Sequence, residues 1–307
     1  MAKTRPKDAR RFVPIAGRWS KDRVPTYRGP SKSEAPFGTC LVPDQLRSGT
    51  VVVQTVLSDA SSCARIVVGH NPGSGAYYSI GIGGYGYAYI IDEFRPDRGW
   101  QAVAATGSMA DVELGIAHDI QVRIEGQRVT LMIDGVRVLR RSLPAPLHGD
   151  QVGLLAWGTS SVRFSEFSVH ASARSLFVVV QFGEPFDSIY RRVIEPVSRE
   201  AGFKAERADD IFAPGVILQD IVRHLVEADV VVVEITPPNP NVFYELGYAH
   251  ALNKHTILLA NRMVDRLPVD ISRYRVLFYE DSIRGKPDLE GNLAKYLNEM
   301  RRGEGAA

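Results

Sequence analysis

The sequence is poor in cysteine and has no long apolar run. Its 307 residues include two cysteines, Cys40 and Cys63, whose spacing matches no metal-binding motif. So few thiols in a chain of this length are typical of a reducing compartment. No apolar run approaches the roughly 20 residues that cross a bilayer, and the first residues lack the apolar segment of a signal peptide. We therefore expect a cytoplasmic protein that has no membrane partner.

Several catalytic motifs are also missing. No Ser or Cys lies in a nucleophile elbow, which excludes the hydrolase triads built on that turn. Gly183 stands alone rather than in a glycine-rich fingerprint, so a P-loop and a Rossmann dinucleotide motif are excluded. His250 and His255 have no partner at metal-ligand spacing. We predict neither a metal site nor a bound cofactor.

Positive charge is concentrated at the start of the chain. Residues 1–34 hold ten Lys or Arg and three acids, a balance of +7, whereas the whole chain carries +2. We interpret residues 1–11 as a solvated basic arm and residues 303–307 as a tail. The basic side chains are scattered rather than clustered, so we do not expect a nucleic-acid partner. The remaining length suffices for two domains.

Residues 12–172 are typical of an antiparallel β-sandwich. Short β-rich runs alternate with turn residues, and Asp134-Gly135 between two runs is a strong hairpin signal. No helix of normal length is evident in this part. The predicted strands are Val51–Leu57, Ala64–Val68, Tyr77–Ile82, Tyr87–Asp92, Ile120–Glu125, Val129–Ile133, Val136–Arg140, Val152–Trp157 and Val162–Val169.

The order of features in this half resembles the concanavalin A-like, laminin-G-like jelly rolls. The resemblance rests on Gly17-Arg-Trp19, Tyr77-Tyr-Ser-Ile80, Val129-Thr-Leu-Met-Ile-Asp-Gly-Val136 and Gly153-Leu-Leu-Ala-Trp157. Such jelly rolls occur in glycan-processing and glycan-binding proteins, so the resemblance implies a glycan ligand, with a nucleotide as the alternative. We interpret residues 12–172 as a sensor or assembly domain. Aromatic rings could supply the stacking surface for that ligand. The candidates are Tyr77, Tyr78, Tyr85, Tyr87, Tyr89 and Trp100.

Residues 173–302 change to alternating strands and helices. This alternation predicts an α/β domain with a parallel, doubly wound sheet of about five strands. The predicted strands are Leu176–Val180, Phe203–Glu206, Val230–Ile235, Thr256–Ala260 and Arg275–Tyr279. The predicted helices are Phe186–Glu200, Val216–Glu227, 242–252 and 288–302.

The strongest functional signal follows the all-valine strand Val230–Val233. Asn239, Pro240 and Asn241 supply an N-cap and a first turn, so a helix begins at the carboxyl edge of the sheet. At about 3.6 residues per turn, Asn241, Glu245 and Tyr248 share one face. Ligands bind beyond the carboxyl ends of such strands. A lone carboxylate, Glu245, is therefore expected to face a ligand crevice.

This half also resembles the TIR-like proteins related to nucleoside 2-deoxyribosyltransferases. The residues that carry the resemblance are 228–236, Asn239-Pro-Asn-Val-Phe-Tyr-Glu-Leu-Gly-Tyr-Ala-His250 and Leu267-Pro-Val-Asp-Ile271. The resemblance implies that Glu245 is the catalytic carboxylate. Glu234 stands where the pattern usually has Asp. The predicted substrate-binding residues include two that share a helix face with Glu245, namely Asn241 and Tyr248. The others are Gln181, Phe182, Gly183, Phe186, Arg207, Asp209, Asp210 and Asn239.

Leaving-group chemistry separates the enzyme classes. The pyridinium of NAD leaves as neutral nicotinamide, so one carboxylate can suffice. A nucleoside base needs a proton donor, yet Asn239 occupies the position six residues before Glu245 where an acid could serve. Acids that could substitute are Glu184, Asp209, Asp210 and Glu234.

We therefore expect an NAD glycohydrolase, for which NAD is the substrate and no cofactor is needed. The resemblance implies an assembly-activated effector of bacterial anti-phage immunity, a homo-oligomer whose sandwich serves as sensor or oligomerisation module. Two alternatives stay open. One is a non-catalytic nucleotide-binding signalling receptor, and the other is a nucleoside 2-deoxyribosyltransferase.

Overall fold

The computed structural model describes residues 11–20, 22, 24–30, 36–207, 217–262, 271, 274–282 and 285–302. Within it the chain divides into two compact units, with the main boundary between Ser172 and Ala173. The short segments 125–127 and 144–146 group with the second unit. Asp209 and Asp210, two of the predicted site residues, lie outside the described residues.

Strands dominate the first unit. They are β1 (Val13–Ala16), β2 (Thr26–Tyr27), β3 (Phe37–Gln45), β4 (Gly49–Leu57), β5 (Cys63–His70), β6 (Tyr77–Gly84), β7 (Tyr87–Arg95), β8 (Gly99–Ser108), β9 (Ala117–Glu125), β10 (Arg128–Ile133), β11 (Val136–Ser142), β12 (Gln151–Trp157) and β13 (Val162–Ala171). Among the described residues of this unit, the helical structure is one 3₁₀ turn, Met109–Asp111.

These strands form two antiparallel sheets. One has the order β1-β3-β12-β5-β6-β7-β8, and the other has the order β11-β10-β9-β4-β13-β2. Side chains alternate across each sheet, so that Val51 and Val53 of β4 are buried while Val52 is only partly covered. Buried side chains of both sheets make one apolar core. The predicted jelly-roll-like β-sandwich is confirmed.

The Asp134-Gly135 hairpin is confirmed as well. Ile133 pairs with Val136 across the turn, and the two central residues have φ of 50° and 79°. Positive φ at both positions matches a two-residue turn of type I′, whose twist suits the flanking strands.

Four strands of the first unit were not predicted: β1, β2, β3 and β8. Strand β8 lies at the sheet edge and reads Gly-Trp-Gln-Ala-Val-Ala-Ala-Thr-Gly-Ser. Few of these side chains are of the β-branched or aromatic types that favour strands. Pro43 interrupts the pattern of β3. Pairing with neighbouring strands, which composition does not report, stabilises these segments.

The second unit alternates strands and helices. Its elements are β14 (Arg174–Val179), α1 (Phe186–Ile189), a π-helical turn (Tyr190–Ile194), α2 (Glu195–Glu200), β15 (Phe203–Arg207), α3 (Ile217–Glu227), β16 (Val230–Glu234), α4 (Pro240–Ala251), β17 (His255–Asn261), β18 (Val276–Tyr279) and α5 (Gly285–Arg302). The α1–α2 segment covers the predicted helix Phe186–Glu200, with a π turn inside it.

All five strands of this unit are parallel, in the order β15-β14-β16-β17-β18. Alternate residues of β14 enter two different cores, Leu176 and Val178 on one face and Phe177 and Val179 on the other. Helices α1, α2 and α5 cover the first face, and α3 and α4 cover the second. The predicted parallel, doubly wound α/β sheet is confirmed.

Phe164→Ala tests the sandwich core. Phe164 of β13 is fully buried in that core and lies 5.9 Å from the Trp19 ring. Its truncation removes a large buried side chain, so we expect a loss of about 3–5 kcal/mol in the free energy of unfolding. Tryptophan fluorescence during denaturant unfolding measures it, because Trp19, Trp100 and Trp157 all belong to the first unit.

The matched control is Val136→Ala, since Val136 is 63% exposed. Its midpoint should stay close to that of the unaltered protein. Equal midpoints for both variants would contradict the assignment of Phe164 to the core.

Candidate active site at the carboxyl edge of the parallel sheet

The strand order of the second unit creates a crevice. Strands β14 and β16 lie side by side, but the chain leaves β14 toward β15 on one side and continues from β16 toward β17 on the other. Open α/β sheets bind ligands at this switch point, outside the carboxyl ends of the strands. The loops that follow β14 and β16 are held together, because Gln181 Nε2 donates a hydrogen bond of 2.8 Å to Pro237 O.

Helix α4 begins at this crevice in the predicted manner. The Asn239 side chain accepts a hydrogen bond of 2.9 Å from Asn241 N, and Pro240 occupies the first turn. Val242, Leu246 and Ala249 are buried against the sheet. These three anchors fix the rotation of the helix, so the face that carries Glu245 is turned away from the apolar core.

Glu245 is a half-buried carboxylate that lacks a protein partner. Within the described part of the chain it makes no hydrogen bond or ion pair, and burial alone raises its pKa to about 7. Withdrawal from water disfavours the charged form, and no donor compensates for the loss. A group of this kind can serve as a nucleophile, a base or an electrostatic stabiliser near neutral pH.

Its helical neighbours differ in exposure. Asn241 is exposed and Tyr248 is partly buried, so Asn241, Glu245 and Tyr248 all retain access to solvent on one face of α4. Gly247 lies in the same helix, and a Cβ built there meets no described atom within 4 Å. Close helix-on-sheet packing therefore does not explain this glycine.

Glu234 has a different environment. It is fully buried at the end of β16, where Oε2 accepts a 3.0 Å bond from Thr236 N and Oε1 accepts bonds from Thr236 Oγ1 (2.5 Å) and Tyr279 OH (3.1 Å). Burial raises its pKa to about 7, although these donors oppose the shift. Asn261 N also donates to Thr236 Oγ1 at 2.8 Å. The network joins the ends of β16, β17 and β18 and engages both carboxylate oxygens.

The other predicted site residues fall into two groups. Phe182 is 67% exposed in the loop after β14, and Gly183 beside it adopts a φ of 87°. Phe186 and Arg207 instead face the protein interior, with 8% and 2% exposure. The Arg207 guanidinium donates to Asp187 Oδ1 at 2.6 Å, an ion pair that holds the pKa of Asp187 below its usual value.

Arg207 also lies over the Tyr190 ring, 4.9 Å from its centroid. Its contacts therefore join β15 to the helix that follows β14. The Gln181 side chain thus joins the loops after β14 and β16. Arg207 and Phe186 are buried instead and pack in the interior.

Sequence reasoning did not identify the Glu234 network. Thr236 two residues after Glu234 was a local signal for a side-chain turn, but Tyr279 and Asn261 come from later strands and have no local signature.

In the described ranges, no cluster of three or more His, Cys, Asp or Glu side chains is placed to hold a metal ion. No helix of the described chain is long and apolar enough to cross a membrane.

The raised pKa of Glu245 predicts a pH-dependent stability. A carboxyl whose folded pKa is about 7 retains its proton in the folded state while the unfolded chain, with a pKa near 4.5, has lost it. Folding stability therefore decreases as pH rises from about 4.5 to 7. Glu245→Gln removes this penalty, so its Tm should exceed that of the unaltered protein by more at pH 8 than at pH 5.

Thermal unfolding at the two pH values measures the difference. Glu200→Gln is the matched control, because Glu200 is exposed at the end of α2, before β15 begins. Its Tm difference should change little with pH. An equal pH trend in both variants would show that Glu245 is not desolvated.

No protein-family profile matches the chain, and no curated protein matches it. It is similar in structure to the carbohydrate binding module CBM66 from Bacillus subtilis, at 12% identity and a TM-score of 0.45, over 52% of this chain and 94% of that one. A Bacillus subtilis protein of unknown function with a galectin-like fold gives 13% identity, a TM-score of 0.39 and coverage of 53% and 89%.

Galectin LEC-6 from Caenorhabditis elegans gives 12% identity, a TM-score of 0.31 and coverage of 46% and 96%. The strand order described above, rather than these likenesses, establishes the two folds of this chain.

Proposed function

We propose that the second unit hydrolyses the N-glycosidic bond between nicotinamide and ribose in NAD, with Glu245 as the catalytic carboxylate. The observation that carries the proposal is the environment of Glu245. Its carboxylate lies on α4, the helix that follows the central strand, and the described chain provides it with no partner. A substrate that develops positive charge would supply the missing partner.

The chemistry needs few groups. As the bond between the ribose C1′ and the pyridinium nitrogen breaks, its electron pair moves to the nitrogen and nicotinamide leaves as a neutral molecule. Positive charge develops on C1′, and the ionised Glu245 stabilises it. Water then adds to C1′ and loses one proton, which gives ADP-ribose.

The loop after β14 offers the second element of a binding site. Phe182 presents an exposed ring that can stack on a flat heterocycle, and Gly183 leaves the backbone beside it open. Gln181 is engaged with Pro237 O, so in this proposal it positions the two loops rather than binding the substrate directly. Asn239 is likewise engaged in capping α4.

The absence of an acid at position 239 favours NAD over a nucleoside. Asn239 cannot protonate a departing base, and its side chain oxygen already accepts the Asn241 amide. Glu234 accepts three hydrogen bonds at the buried strand end and is fully buried. Neither residue suits the role of proton donor that a deoxyribosyltransferase requires.

We further propose that the enzyme acts as an anti-phage effector whose activity depends on assembly, with the sandwich as its sensor or oligomerisation module. If assembly activates the enzyme, the rate of NAD hydrolysis per protein molecule should increase with protein concentration.

The first test is nicotinamide release from NAD by the full chain, measured by chromatography at several protein concentrations. We expect release that Glu245→Gln reduces by at least about 100-fold, because the amide cannot stabilise positive charge at C1′. Glu200→Gln is the matched control. It removes an exposed acid at the amino edge of the sheet and should leave the rate unchanged.

Equal rates for Glu245→Gln and the unaltered protein would overturn the catalytic assignment. Base exchange between deoxynucleosides, without release from NAD, would instead identify a deoxyribosyltransferase. Saturable NAD binding without turnover at any protein concentration would identify a nucleotide-binding receptor.

The pH profile provides a second test. Glu245 must be ionised to stabilise C1′, and burial raises its pKa to about 7. We therefore expect kcat/KM for NAD to fall about tenfold per pH unit below about 7 and to level off above it. Steady-state rates between pH 5 and 9 measure the profile.

Glu234 has a similarly raised pKa, so Glu234→Gln is the necessary comparison. An inflection that persists in Glu234→Gln assigns the titration to Glu245. Its disappearance in that variant would contradict the assignment.

A further inference from the structure

A cleft opens on the seven-stranded sheet of the first unit. Its volume is about 290 Å³, and it receives side chains from β5, β7, β8 and β12. Alternation along β5 places Ala64 and Ile66 in the sandwich core and Cys63 and Arg65 on the opposite side. The cleft therefore lies on the face of the sheet that points away from the sandwich core.

A buried ion pair forms the floor of the cleft. The Arg65 guanidinium donates to Asp92 Oδ2, to Ser79 Oγ at 3.3 Å and twice to Gly83 O, at 2.9 and 2.5 Å. Gly84 makes room for this arrangement, since a Cβ there would come within 2.0 Å of Arg65 Nη2. The guanidinium is thereby held rigidly and its charge is balanced.

Asp92 retains one free acceptor. It is 1% exposed, and Oδ1 has no hydrogen-bond partner in the part of the chain that the structure describes. A buried acceptor without a donor carries an uncompensated desolvation penalty, so a ligand hydroxyl that donates to this oxygen would be favoured. Burial raises the pKa of Asp92, and the neighbouring Arg65 opposes that shift.

Aromatic rings line the same cleft as this acceptor. Trp157 is 38% exposed and stacks on Phe37 with ring centroids 5.7 Å apart, so its orientation is fixed. Tyr85 is 64% exposed, and Trp100 lines the cleft from β8. Ser61 and Ser62 add hydroxyl groups to the rim. Flat apolar surfaces thus stand beside a rigid polar floor.

We propose that this cleft binds a sugar ring. The C–H face of a pyranose or furanose packs on the indole and phenol rings, while a ring hydroxyl donates to Asp92 Oδ1. Among the residues that line the cleft in the described chain, Arg65 is the one cation, and Asp92 neutralises it. A phosphate would find no uncompensated positive charge there, so the chemistry favours a neutral carbohydrate over a nucleotide.

Tryptophan fluorescence of the full chain tests the proposal, because two of its three tryptophans line the cleft. The titrants are methyl β-D-glucopyranoside, methyl β-D-galactopyranoside, methyl α-D-mannopyranoside, methyl β-D-fructofuranoside and, as the nucleotide probe, uridine monophosphate. We expect a saturable change with at least one glycoside. Trp157→Ala should weaken that binding by about tenfold.

Tyr85→Gly is a second variant that avoids a folding defect. Tyr85 adopts a φ of 51°, which glycine tolerates at no steric cost. It should also weaken the glycoside. Tyr87→Ala is the matched control, because its 47% exposed ring does not line the cleft, and its affinity should be unchanged.

Three results would overturn the proposal. They are the absence of a saturable change with every glycoside, unchanged affinity in both Trp157→Ala and Tyr85→Gly, and tighter binding of uridine monophosphate than of any glycoside. Glu245→Gln should bind the glycoside as the unaltered protein does. Failure of this proposal is therefore distinguishable from failure of the proposed NAD hydrolysis.

Discussion

The second unit depends on the burial of one central strand. Val230, Val231, Val232 and Val233 of β16 are fully buried, because helices cover both faces of the sheet and parallel strands lie on both sides. A strand of this kind can satisfy its backbone only through its neighbours and its side chains only through both cores. Its position therefore fixes the level at which β14 and β17 end and the point at which α4 begins.

Two glutamates near the end of this strand show how strongly the surroundings decide a role. Burial raises the pKa of both to about 7. Glu234 receives three hydrogen bonds and joins the ends of three strands, whereas Glu245 has no partner in the described residues. The same chemical group thus contributes structure in one position and remains available to a ligand in the other.

The first unit also contains a buried carboxylate, Asp92, which forms an ion pair with Arg65. Its sandwich core is apolar, and its ionic pair lies on the other face of one sheet, where Arg65 is held by Gly83 O and Asp92. A glycine at position 84 is required by the guanidinium beside it. Each unit contains a carboxylate oxygen without a donor in the described residues, and the two proposed ligand sites are built on these oxygens.

Local periodicity and turn chemistry suffice to predict the two fold classes, the Asp134-Gly135 turn and the cap of α4. The sequence also singles out Glu245 as a candidate catalytic residue, because Glu245 lies in the first turns of a helix that follows a buried strand. Long-range packing, in contrast, is responsible for strands β3 and β8, the hydrogen bond from Tyr279 to Glu234 and the interior position of Arg207. Each rests on contacts between residues distant in the chain, whose free energy no local pattern contains.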